Sequence, residues 1–173
     1  MAMSRTGATT AISDLNPDLP EEPPMDEKVV ATFDESLRRC DSNPRFLDIF
    51  YEKFLASSPD VQEKFANTDF SRQKMLLRAS FYLILLASEN EAFGPERYLK
   101  HLAVRHGASG LEIGAHLYDL WLDSLLAAVK QCDPEYSPEV EAAWEEVMGV
   151  GIEYMLKHYR DPNPPVMPSF DRA

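Results

Sequence analysis

Apolar residues recur at spacings of three and four along most of this chain, and no stretch alternates as a half-buried strand would. The pattern predicts a set of helices. The first covers roughly residues 26–40 and puts Val30, Phe33, Leu37 and Cys40 on one face. Asn43 is the expected cap of the second, with Pro44 at its first position. That helix runs to about Ala56 and buries Leu47, Phe50, Tyr51 and Phe54. Pro59 opens a short turn of helix through Phe65, and Thr68 or Asp69 caps a long one reaching about Ser88. The inward positions of the long helix include Leu76, Leu77, Ser80, Phe81, Ile84 and Leu85. After Gly94 and Pro95 comes a helix closed by His106 and Gly107. Ser109 and Glu112 have capping-box spacing ahead of the next one, which carries Leu117, Trp121, Leu125 and Val129. Ser137-Pro138-Glu139 starts the last, which buries Val140, Trp144, Val147, Ile152 and Met155 and ends near Tyr159.

The fold class expected is therefore all-α, with one helical domain over 26–160. Pro17, Pro20, Pro23 and Pro24 stand among acidic and hydroxyl residues, so residues 1–25 read as a tail. The Pro-rich segment 161–173 reads the same way. A length of 173 residues and a hydrophobic content of 45% suit one packed core. No apolar run approaches the ~20 residues a membrane helix needs, and the N-terminus lacks the basic start and apolar middle of a signal peptide. The net charge of −12 argues against nucleic acid and anionic membrane as partners, since both need clustered cations. Cys40 and Cys132 show no metal-ligand spacing. A cytoplasmic, reduced protein is the expectation, with a disulfide between the two as the alternative.

His106 is the most informative residue. Leu99, Leu102, Ala103 and His106 share one helical face, so the imidazole looks inward, and Gly107 and Gly110 end the helix. A lone inward histidine is more often a satisfied core group than a ligand. His116 is the rival candidate but lacks the helix-end context, and His101 and His158 read as surface groups.

Three stretches carry the chemistry. They are Ile49-Phe50-Tyr51-Glu52-Lys53-Phe54, then Pro59 to Phe65 followed by Arg72 to Leu77, then Ala103-Val104-Arg105-His106 followed by Tyr118 and Leu125-Leu126. In this order they resemble the globin family, above all bacterial single-domain haemoglobins and the globin part of flavohaemoglobins. The resemblance covers about Asp26 to Tyr159 and is strongest from Ala103 to Lys130, with the Trp144 helix behind. No single piece is specific; the ordered set is.

The resemblance implies a globin fold packed around one haem b (iron protoporphyrin IX). It makes His106 the proximal iron ligand, Phe65 the ring against the haem face, and Tyr51, Gln73 and Leu77 the distal residues. Lys74 and Met75 are alternatives to Gln73, because the segment from Phe65 to Gln73 is two residues shorter than the bacterial pattern. Tyr118 matches a tyrosine near the proximal histidine, in a segment two residues longer than that pattern, and Glu153 is a weak match to the acid of that network. A phenol O–H and an amide N–H are both donors, suited to a gas ligand that takes on negative charge. The function implied is reversible binding of oxygen, carbon monoxide and nitric oxide, for transport or sensing, by a monomer or homodimer. One alternative is nitric oxide dioxygenase activity with a separate reductase, since no flavin or nicotinamide segment follows Tyr159. The other is a haem-free interaction module, where loss of the proximal histidine would be expected.

Overall fold

A computed structural model describes residues 25–89, 93–108 and 110–159, and in it the described residues form seven helices and no strand. They are α1 (Glu27–Asp41), α2 (Phe46–Ser57), α3 (Pro59–Lys64), α4 (Phe70–Glu89), α5 (Gly94–His106), α6 (Ala115–Cys132) and α7 (Pro138–Lys157). The expected tails lie outside the described residues, Met25 apart, as does Ser109. No helix among the described residues is long and apolar enough to cross a membrane.

Side-chain caps set most helix starts. Asp26 accepts from the Lys28 N–H, Ser58 from Asp60, Asp69 from Ser71 and Arg72, and Ser137 from Val140. Two expected starts move. The Asn43 side chain accepts from the Arg45 N–H, and its carbonyl takes the Phe46 N–H, so Asn43 and Pro44 form a turn and α2 begins at Phe46. Glu112 has φ 51°, a left-handed conformation that cannot continue a helix, and α6 begins only at Ala115 behind Gly114.

The core is built on Trp144, which is fully buried on α7. Phe33 of α1 meets it edge-on at 4.6 Å, Phe81 of α4 at 5.7 Å and Phe46 of α2 at 6.2 Å. Its indole N–H donates to Ser36 at 2.9 Å, and Ser36 in turn donates to Asp133 at 2.5 Å. Arg39 closes this chain with two hydrogen bonds to the Asp133 carboxylate. Burial alone would raise the Asp133 carboxyl. Donors from Arg39, Ser36 and the Glu135 N–H outweigh it and hold the group below the usual range. Cys40 and Cys132 are free and buried, so the alternative of a disulfide does not hold. Burial pushes the Cys40 thiol up to about 12, which leaves it protonated and inert.

Helix α2 packs on α6, α1 on α7, and α4 and α5 pack on each other and on α7. The α4–α5 junction positions the site. A Cβ on Gly94 would sit 2.3 Å from the Ala87 carbonyl oxygen, so the two backbones touch where α5 begins. From that crossing α4 runs back about 21 Å to Gln73, and α5 runs on about 18 Å to His106. The two helices share one end and carry their chemistry at the other.

Candidate functional site

His106 ends α5 half-buried, with Nδ1 2.8 Å from the Leu102 carbonyl oxygen. A carbonyl only accepts, so Nδ1 carries the proton and Nε2 keeps its lone pair. Burial lowers the imidazole pKa, with Arg105 adding to it and the Leu102 hydrogen bond opposing it. The ring is thus neutral and aimed by the helix, as a metal-ligating imidazole must be. The backbone beyond it is tied down. The Ile113 N–H donates to the His106 carbonyl at 3.0 Å, Leu111 to Arg105 at 2.8 Å, and Ala108 to Tyr159 at the end of α7 at 2.8 Å. Gly107 is required here, because a Cβ would lie 2.8 Å from the Tyr159 carbonyl oxygen.

The aromatic side of the site comes from α2, α3 and the start of α4. Tyr51 is buried on α2 and meets Phe50 at 4.8 Å, Phe70 at 5.2 Å and Phe65 at 5.8 Å. Phe65 caps α3, is half-buried, and stacks on Phe70 at 6.1 Å. Gln73 is half-buried, and its amide favours the charged form of the Tyr51 phenol. Burial pushes the Tyr51 phenol up to about 12, partly offset by that amide, so it remains a donor across physiological pH. Leu77 is buried one turn further along α4.

Lys74 is held in an ion pair with Asp48 of α2, and Met75 is 66% exposed on the opposite side of the helix. His116 is exposed and faces Asp60 at 3.4 Å, and His101 is exposed. His158 is no free surface group: it is half-buried and stacks on Tyr154 at 4.1 Å. Tyr118 is buried, but its hydroxyl donates to the sulfur of Met155 at 3.6 Å. Glu153, the weak acid candidate, is exposed.

Three contributors escaped the sequence reading. Phe70, which joins Tyr51 and Phe65 in one aromatic cluster, sits directly after the Asp69 cap, and its place two helical turns before Leu77 was the available signal. The Leu102 carbonyl is a backbone group with no side-chain signature. Lys64 reaches from α3 to the Leu111 carbonyl at 2.7 Å, tying the aromatic side to the loop after His106.

One imidazole cannot chelate a bare ion, and no group of three His, Cys, Asp or Glu side chains suited to a metal occurs among the described residues. The residues fit a cofactor that brings its own metal: His106 would hold the metal, and Tyr51 and Gln73 would supply hydrogen-bond donors to what it binds.

Residues 48–155, more than half of the chain, match the family profile described as Globin. The chain belongs to the globin family. A crystal structure of a Pseudomonas aeruginosa PAO1 protein, described as structurally highly homologous to a human hemoglobin, is similar at 38% identity. It covers 76% of this chain and 98% of its own, with a TM-score of 0.72. A comparison with curated proteins returns no match. Within this globin, α4 and α5 pack on each other and α7 packs on both.

Proposed function

We propose that this globin binds one haem b through His106 and reversibly binds diatomic gases on the side of Tyr51 and Gln73. The observation that carries the reading is the His106 tautomer. Its proton is committed to the Leu102 carbonyl and its Nε2 lone pair remains for the iron.

Haem, when bound, supplies an iron with one coordination position for a gas. His106 holds it and fixes its orientation. Phe65 would pack against it, and Leu77 would keep water from the side of Tyr51 and Gln73. The Tyr51 hydroxyl and the Gln73 amide donate hydrogen bonds to a ligand that gains negative charge. Tyr118 supports α6 against α7 through Met155. The carbonyl partner of His106 favours reversible ligand binding over oxidative chemistry, because a neutral acceptor raises imidazole basicity less than a carboxylate would. Buried, reduced cysteines are in keeping with a cytoplasmic protein.

The distal pair also suits oxidation of nitric oxide to nitrate, given an external reductase. Turnover of nitric oxide with an added electron donor separates that activity from transport or sensing.

The deciding experiment is a visible spectrum of the haem-supplemented protein in ferric, dithionite-reduced and carbon monoxide-bound forms. The expected result is a sharp Soret band that moves with reduction and again with carbon monoxide. A protein that takes up no haem would leave the family assignment intact and make it a haem-free interaction module.

A further inference from the structure

Helix α4 is apolar on two opposite sides. Leu77, Phe81 and Ile84 are buried in the core. On the far side, Arg72, Met75, Ala79, Tyr82, Leu86 and Glu89 follow at alternating steps of three and four, and all six are exposed. Met75 is 66% exposed, Leu86 42% and Tyr82 38%. A helix that only faces water carries polar residues on that side. Alternation of three and four is instead the spacing of a seam between two helices.

The seam is self-complementary. Its four apolar residues occupy the middle, with a cation at the start and an anion at the end. Laid antiparallel on a copy of itself about its midpoint, it sets Arg72 against Glu89, Met75 against Leu86, and the small Ala79 against the large Tyr82. Neither Arg72 nor Glu89 has an ion-pair partner among the described residues. Charge points the same way. The chain carries −12, but on α4 the cations Lys74 and Arg78 are each paired with a carboxylate, Asp48 and Asp41, so two copies meeting there bring little net charge together.

We propose that the outer face of α4 is an isologous interface through which two copies of this globin pair about a two-fold axis, helices antiparallel. The surface lies opposite the residues assigned to the cofactor pocket, so pairing leaves that pocket unobstructed. The stretch from Arg72 to Glu89 is about 26 Å long. A single helix pair of that length buries less than the ~800 Å² per partner of a standard interface. The dimer is therefore concentration-dependent.

Sedimentation velocity of the full chain over a range of concentrations tests this. A monomer–dimer equilibrium is expected. Arg72→Glu and Glu89→Arg alone should each weaken it about tenfold, since two symmetric attractions become repulsions. The double variant Arg72→Glu/Glu89→Arg should return to the native constant, because each position again meets its opposite. Ala79→Glu should leave only monomer. All three positions are exposed, and far-UV circular dichroism checks that the helices are intact. A native chain that stays monomeric at the highest soluble concentration would overturn the proposal. So would a dimer that is indifferent to Ala79→Glu, or charge variants whose combination restores nothing.

Discussion

The imidazole of His106 and the carbonyl of Leu102 are joined at 2.8 Å across one turn of α5. The same carbonyl is the helical acceptor for the His106 N–H, so it serves the backbone and the ring together. The ring therefore cannot rotate without losing a bond inside a half-buried turn. The loop beyond fixes the backbone of His106 through Ile113, and Tyr159, just past α7, fixes Ala108. Tautomer and direction are both set before any cofactor arrives, and helix, loop and α7 share the work.

Removing the ring should remove the axial ligand and little else. His106→Gly is expected to give no normal ferric or reduced spectrum with haem. Added imidazole should recover the native bands by occupying the space left by the side chain. An unchanged spectrum in the variant without imidazole would assign the iron to another residue.

The Tyr51–Gln73 pair predicts selectivity between gases. A hydrogen bond to a charged acceptor is worth about 1.5–3 kcal/mol, so Tyr51→Phe should speed oxygen release about tenfold or more. Carbon monoxide gains little charge on binding, and its release should change much less. Gln73→Leu should act in the same direction, and the double variant should fall short of the sum because both side chains donate to the same bound ligand. Rapid-mixing measurements of both release rates check this; equal changes for the two gases would point to altered access rather than hydrogen bonding.

The helices and the residues that punctuate them were legible in the chain, because caps and proline act through neighbouring backbone groups. Ser137 and Asp69 accept from N–H groups within three residues, so their signal is complete in the sequence. The start of α6 was not legible, because Ser109–Glu112 has the right spacing while Glu112 adopts a left-handed conformation. Leu76 was expected inward but is 40% exposed. A helix apolar on both sides gives periodicity no single face to select. At the site, His106 and Tyr51 were singled out by order along the chain. The partner of Tyr118 did not, since Met155 meets it only through the packing of α6 on α7.

The Trp144–Ser36–Asp133–Arg39 chain should matter for stability and for its pH dependence. Ser36→Ala removes the acceptor of a buried indole N–H and a donor to Asp133, a loss of about 1–3 kcal/mol by chemical denaturation. Asp133 has a lowered folded-state pKa, so its contribution is complete above the unfolded value of about 3.9 and is lost as pH falls through the folded value. The stability gap between the native chain and Asp133→Asn should therefore be full at neutral pH and close below about pH 4. A gap that persists undiminished in acid would place the effect of the substitution in packing rather than in charge.

Gly94 should be among the least replaceable residues of the domain. A methyl group there meets the Ala87 carbonyl oxygen at 2.3 Å, and the atoms it strikes are backbone, which cannot rotate away as a side chain would. Gly94→Ala must push α5 off α4 at the end where they cross. The expected loss is about 1–3 kcal/mol, the range of overpacked sites. A control at Gly149, where an added Cβ meets nothing within 4 Å, should cost nothing and could gain from higher helix propensity. Because α4 carries Gln73 and Leu77 while α5 carries His106, a shift at the crossing also moves the two sides of the site relative to each other. Gly94→Ala should therefore weaken haem retention beyond its effect on folding. Competition with a haem-scavenging protein, measured in parallel with denaturant unfolding, separates the two. Loss of stability with native haem retention would mean that the crossing holds the helices together without setting the pocket.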